Sequence, residues 1–355
     1  MLLNQSSMNL KTMLFRKSLA LVVAAASVAI VAAAFLTPNS ESLLSSVFKE
    51  EVRNSLSGRV GTDGPILAVK IDDTKMAHPQ IGIEFADIVY IEQVEGGLTR
   101  LAALFASQIP KEIGPVRSAR ISDLELLSQF GKVGFAYSGA QQKLRPEIAA
   151  ANLFDLGAQR MSSTIYTTDP QRIQPYAMVL RADLFMEYAQ EKGFEFAQSK
   201  SAGWNFSDET KLGTAISSAK VSWPANNYEV FWSTEKEVWE LSHGGVPNLS
   251  STGVRLTADT FVIQLVSITD SIYKDKVGGV TPFSATVGTG KGFILRDGKY
   301  IEGNWSRPTE SAGTRWTTNS GDEIPFAHGA IWIALTDKAP SFTPIPADAS
   351  RTGTK

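Results

Sequence analysis

The 18 residues from Leu19 to Leu36 carry no charge and follow Lys11, Arg16 and Lys17. An apolar run of that length behind a basic end reads as a membrane-targeting segment. It is longer than a signal-peptide core of about 7 to 15 residues and close to the ~20 needed to span a bilayer. The run divides the chain. Residues 1–18 are expected to be a cytoplasmic basic end and residues 19–36 a transmembrane anchor, with the remainder outside the membrane. Signal cleavage after the small residues Ala32, Ala33 and Ala34 is the alternative, and it would release the same body as a secreted protein. The expected location is the cell membrane, single-pass, with the folded part extracytoplasmic.

The chain contains no cysteine, which excludes disulfides, thiolate zinc sites, cysteine nucleophiles and attachment through a lipidated cysteine. A net charge of -2 offers no basic excess, so no nucleic-acid partner is expected. The three histidines, at 78, 243 and 328, are dispersed, and no metal centre or cofactor is expected from them unless the fold gathers them.

Residues 37–64, rich in Ser, Asn, Glu and Gly, read as a stalk, and residues 339–355 as a flexible tail. The 319 residues beyond the apolar run exceed one common domain. Two parts are expected, 65–205 and 211–338, with the break near 196–212. All seven tryptophans, from Trp204 to Trp332, lie in the second half of the chain. In the first part, β-rich runs at 66–71, 86–94 and 98–105 predict strands, the last two joined as a hairpin by Gly96 and Gly97. Leu124, Leu127 and Phe130 recur at helical spacing behind Ser122 and Glu125, a capping-box pattern, with Gly131 as the stop. A strand at 133–137 and a helix at 182–192 follow. The second part alternates, as at Tyr228, Val230 and Trp232, and Asp297-Gly298 marks a hairpin turn. The expected fold class is α+β: a layered α/β amino-terminal domain with a mixed sheet, then a largely antiparallel β domain packed on it.

Residues 92–100 (EQVEGGLTR) and 114–120 (GPVRSAR) concentrate charge, glycine and arginine inside an apolar half of the chain. With residues 65–72 (PILAVKID), they resemble the signature of the YerB-like family of bacterial envelope proteins. Residues 288–292 (GTGKG), 303–305 (GNW) and 327–332 (AHGAIW) resemble its carboxyl-terminal domain, so the resemblance covers most of the chain beyond residue 64. It implies an envelope location and carries no settled activity. Lipoprotein members attach through a cysteine, so here the apolar run would hold the membrane. Such proteins also commonly carry a histidine in the strand after the GPVRSAR helix and a Pro-His-Asn element farther on. Here those places hold Tyr137 and residues 161–166 (MSSTIY), which removes the natural general base and favours binding over catalysis.

The chemistry of the two stretches suits an anion. Gly114 and Pro115 make a turn that sets Arg117, Ser118 and Arg120 at a helix start, where free amides and guanidinium forks both favour carboxylate or phosphate. Arg100 from the hairpin is expected to converge on them, with Glu92 and Glu95 holding the arginines. The alternative is a buried ion-pair network that only locks hairpin to helix. Tyr137, Ser138 and Tyr166 are candidate hydroxyl contacts, and Trp305, beside Gly303, Asn304 and Arg307, the candidate exposed aromatic for a sugar ring. Asp72 and Asp73 at one strand end, with Glu92 and Glu95 at another, also permit a cell-wall hydrolase reading through paired carboxylates. Ser217 and Lys220 match a Ser-x-x-Lys spacing without its companion motifs, and 288–292 lacks phosphate-loop spacing. The function expected is binding of an anionic envelope component, such as cell-wall peptide, a teichoic-type polymer or a partner protein, with the hydrolase and an envelope scaffold as alternatives.

Overall fold

The computed structural model describes residues 51–345. The basic end, the apolar run from Leu19 to Leu36, most of the expected stalk and residues 346–355 lie outside the described residues. Among the described residues no helix is long and apolar enough to cross a membrane.

The β-rich runs of the first part become β1 (Leu67–Asp72), β2 (Ile88–Gln93) and β3 (Thr99–Phe105). β2 and β3 pair antiparallel through Glu95–Gly97, where Gly96 and Gly97 adopt φ of 69° and 73°, a left-handed turn that residues with a Cβ resist. After β4 (Glu112–Ile113) comes α1 (Ile121–Ser128), then β5 (Val133–Ala136), α2 (Arg145–Ala150), β6 (Leu153–Asp155), β7 (Tyr166–Thr168), β8 (Met178–Arg181) and α3 (Ala182–Glu191). The cap of α1 sits two residues earlier than expected: Arg120 N–H donates to Asp123 Oδ2 at 2.6 Å, and Ser122 lies inside the helix.

The second part is strand: β9 (Thr214–Trp223), β10 (Asn226–Ser233), β11 (Val238–His243), β12 (Val246–Pro247), β13 (Thr257–Ala258) and β14 (Thr260–Leu265). A ribbon of β15 (Ile268–Lys274) and β16 (Val280–Ser284) leads to β17 (Gly288–Arg296) and β18 (Lys299–Arg307), which turn at Asp297 and Gly298 as expected. β19 (Arg315–Thr317), β20 (Ile331–Thr336) and β21 (Ser341–Pro344) complete the described chain.

Among the described residues strand dominates, and the helices are few and short. The principal sheet is mixed and runs β12-β11-β10-β9-β18-β17-β14-β20-β2-β3-β1-β5-β6. Its seam corrects the expected layout. β20, from the second part, pairs parallel with β2, from the first, in the register Ile88↔Ile331 to Ile91↔Ala334. The second part therefore continues the sheet of the first instead of packing on it as a separate sheet. β20, parallel to both of its neighbours β14 and β2, and β2, between β20 and its antiparallel partner β3, are central strands buried on both faces.

Two ends of the body also depart from expectation. Residues 51–64 are not a free stalk: Leu56 is fully buried and Asn54 Nδ2 donates to Ser199 Oγ at 2.9 Å. Residues 341–344 are no flexible tail, because β21 pairs antiparallel with β9.

Side chains alternate across the sheet into two cores. Ala68, Ile88, Tyr90, Ala102 and Leu104 face α1 through Leu126, Leu127 and Phe130. Val69, Ile71, Val89, Ile91, Leu101 and Ala103 face the opposite core, which includes Phe185 of α3 and Trp223, Tyr228 and Trp239. This alternation sorts the polar residues at the strand ends as well.

Candidate functional site

By parity, Lys70, Asp72, Glu92 and Arg100 fall on the α1 face, and Asp73 and Thr99 on the other. Asp72 and Glu92 are both register partners of Arg100. Lys70 Nζ contacts Glu92 Oε1 and lies 2.9 Å from Asp123 Oδ1, all three side chains being fully buried. Glu92 is thus a core residue paired with a lysine rather than the holder of the arginines expected. Burial and the nearby Asp123 push its carboxyl up to about 8 against the pull of Lys70.

The 114–120 segment is sewn between β1 and β5 by its backbone. Asp72 N–H donates to Pro115 O at 2.9 Å, Arg117 N–H to Lys70 O at 2.8 Å and Ser138 N–H to Arg117 O at 2.9 Å. This placement brings the three arginines together, as the sequence led one to expect. Arg117 Nε lies 2.6 Å from Asp72 Oδ2. Arg120 grips Glu95 with Nε at 2.6 Å and Nη2 at 2.8 Å. Arg100 Nη1 donates to Ser118 O at 3.1 Å, an oxygen that also accepts from Arg120 Nη1 at 3.3 Å. Burial and the like charges of Arg120 and Arg117 draw Arg100 below the ordinary guanidinium range. Burial acts to raise Glu95, but Arg120 and Thr281 outweigh it and hold the carboxyl below its usual value.

These groups wall a cleft of 870 Å³. Beside the three arginines it is lined by Lys143, Arg145, Lys274 and Lys276, so seven cationic side chains face two carboxylates, Glu95 and Asp275. The four added cations are exposed and come from the turn into α2 with its first residue and from the end of β15 with the turn to β16. Sequence reading missed them because the fold alone joins those segments to the hairpin. The helix start adds less than expected: Asp123 already takes the Arg120 N–H, so side chains carry the positive charge.

The remaining candidates scatter. Ser118 and Ser138 line the cleft. Asp72 lies buried behind Arg117, and its Oδ1 accepts from Thr74 N at 2.8 Å. Tyr137 does not reach the cleft; it is buried and its Oη donates to Asp155 Oδ1 at 2.6 Å. Tyr166 likewise donates to Leu156 O at 2.6 Å within the core. Trp305 is not the exposed exception: it is buried, with Nε1 donating to Leu265 O at 2.9 Å. The four carboxylates do not assemble as pairs. Asp72, Glu92 and Glu95 each meet a different cation, and Asp73 lies on the opposite face.

On that face the fold gathers two histidines that the sequence left dispersed. Asp73, fully buried, accepts from Tyr228 Oη at 2.7 Å and from Thr99 Oγ1. His78 Nε2 lies 3.2 Å from its Oδ1 and His243 Nε2 3.6 Å from its Oδ2. The two rings stand 4.2 Å apart at the edge of a second cavity of 660 Å³.

Comparison with known proteins agrees with this architecture. Residues 55–195 match the model of the "Protein of unknown function (DUF3048) N-terminal domain", and residues 219–333 match the DUF3048 C-terminal domain. The chain is 27% identical over 278 residues to "Putative lipoprotein YerB" of Bacillus subtilis (strain 168), covering 76% of this chain and 80% of that one. Its fold resembles the crystal structure of YerB protein from Bacillus subtilis with a TM-score of 0.69 at 23% sequence identity, over 82% of this chain and 100% of the other.

Proposed function

The chain belongs to the DUF3048 family, and on that premise we propose that it is a membrane-anchored, extracytoplasmic protein that binds a multiply charged anion of the cell envelope. The observation carrying this reading is the charge of the cleft: seven cations face two carboxylates in a chain whose net charge is -2. Such a concentration repels itself without a counter-anion, and guanidinium forks match carboxylate and phosphate oxygens.

Size narrows the ligand. A cleft of 870 Å³ falls among sites of about 300 to 1,000 Å³ that enclose a molecule of drug size, well beyond a single inorganic anion. A short stretch of phosphate-bearing polymer or an acidic wall peptide fits both volume and charge. Anchoring is supported by the Leu19 to Leu36 run, and the relative's name as a lipoprotein points to the same compartment. With no cysteine in this chain, the apolar run does the anchoring.

Retention of the full chain on isolated cell-wall fragments tests the reading. Binding should be present at low salt, weaken as salt screens the exposed cations, and leave fragment masses unchanged. Absence of retention at low salt would refute it, and a change of fragment mass would replace binding with hydrolysis.

A further inference from the structure

The face opposite the basic cleft carries a second arrangement with its own chemistry. Asp73 follows β1, His78 follows the turn Lys75–Ala77, and His243 ends β11; one donor atom from each lies within 4.8 Å of the others. His78 Nδ1 donates to Asn248 Oδ1 at 3.2 Å, which leaves Nε2 as a lone pair. His243 Nε2 accepts from Asn226 Nδ2 at 2.8 Å, so it too is unprotonated, with its lone pair held by an amide that an ion would displace. Both nitrogens face the Asp73 carboxylate, at 3.2 and 3.6 Å. The amides of Gln80 and Asn226 temper the repulsion between these lone pairs and the carboxylate, and a cation in their place would turn it into attraction.

The 3.2 Å between His78 Nε2 and Asp73 Oδ1 is the spacing of two ligands on one ion, while His243 Nε2, at 3.6 Å from Oδ2 and stacked on His78 at 23°, would turn slightly to join them. Two ligand atoms each about 2.1 Å from one metal lie about 3.0 to 3.4 Å apart at angles of roughly 90° to 109°. Gln80 adds a further sign: it is fully buried, its Nε2 is 3.2 Å from His78 Nε2 and 3.4 Å from Asp73 Oδ1, and its Oε1 has no hydrogen-bond partner. A half-turn of that amide would exchange its contacts with Asp72 O and Asp73 Oδ1, both at 3.4 Å, for an oxygen facing them, an arrangement that only a cation among the oxygens favours. Asp73, His78 and His243 all line the 660 Å³ cavity, so the remaining coordination position opens onto it.

The geometry points to a site for a divalent transition-metal ion of the zinc class, with Asp73, His78 and His243 as ligands. Two imidazoles and one carboxylate suit zinc, cobalt or nickel and disfavour magnesium and calcium, which take oxygen sets. Asn248 on His78, and Tyr228 and Thr99 on Asp73, are the outer groups that orient the ligands. The site is independent of the anion cleft, because Asp72 and Asp73 point to opposite faces of the sheet.

The test is titration of the metal-stripped full chain with cobalt(II), read by its visible ligand-field absorption, followed by displacement with zinc(II). One equivalent should bind, and zinc should shift the imidazole NMR signals of His78 and His243. His78→Ala and His243→Ala should abolish the cobalt spectrum while melting like the metal-free parent, and His328→Ala should retain it. Asn248→Ala should weaken affinity about 10-fold. A parent chain with no cobalt spectrum and no zinc-induced imidazole shift, its histidines binding protons only, would overturn the proposal. So would a cobalt spectrum that survives in both histidine variants. The imidazole shifts in the parent decide the matter even if a variant fails to fold.

Discussion

Arg120 and Glu95 meet fork to fork, Nε to Oε1 at 2.6 Å and Nη2 to Oε2 at 2.8 Å, and the pair ties the β2–β3 hairpin to the start of α1. Both residues also line the basic cleft, so one contact serves as brace and wall. Arg120→Met strands a nearly buried carboxylate that only Thr281 and the more distant Arg100 then satisfy. It should cost about 3 kcal/mol in urea denaturation. Adding Glu95→Gln should recover most of that loss, since the stranded charge is then gone.

Titration of Glu95 and Glu92 should give opposite slopes. Glu95 is held below its ordinary value of 4.5, so its contribution is fully present above pH 4.5 and is lost as pH falls through the lower folded value. Glu95→Gln should flatten the acid limb of the stability curve. Glu92 is raised from 4.5 to about 8, so the folded chain keeps a proton that the unfolded chain releases. Stability therefore declines as pH rises between those values, and Glu92→Gln should remove that decline. Denaturant midpoints measured across pH check both.

Trp305 separates a core residue from a sugar platform. Because it is buried and its indole N–H is bonded to Leu265 O, Trp305→Ala should cost about 3 to 5 kcal/mol. Retention on wall fragments per folded molecule should be unchanged. A stable variant with lost retention would restore the exposed-aromatic reading.

What could be read from the sequence was mainly local. Gly96 and Gly97 announced the hairpin because the turn needs left-handed backbone at both, and the 114–120 turn announced the arginines because three of its features lie within seven residues. The seam between β2 and β20 left no comparable mark. Parallel pairing has no connecting turn, and 240 residues separate Ile91 from Ile331. The continuous apolar character of both runs was its only trace. Lys143 and Lys274 share the cleft through the same long-range pairing, and so do His78 and His243 on the other face. The tryptophans misled because a large aromatic in an alternating strand reads alike whether the face it occupies is covered or open.

The exposed cations give the cleanest test of anion binding, since unlike Arg117 and Arg120 they form no buried ion pair that folding depends on. Lys143→Ala, Lys274→Ala and Lys276→Ala combined should leave stability within about 0.5 kcal/mol per site. The decisive measurement is titration of the full chain and of this triple variant with a poly(glycerol phosphate) oligomer and with an acidic wall peptide, at low and raised salt. Binding of one of these ligands by the parent, weakened at least about 10-fold in the variant and with a shallower dependence on salt, is the predicted result. Equal affinity and equal salt dependence in parent and variant would contradict the assignment of the cleft.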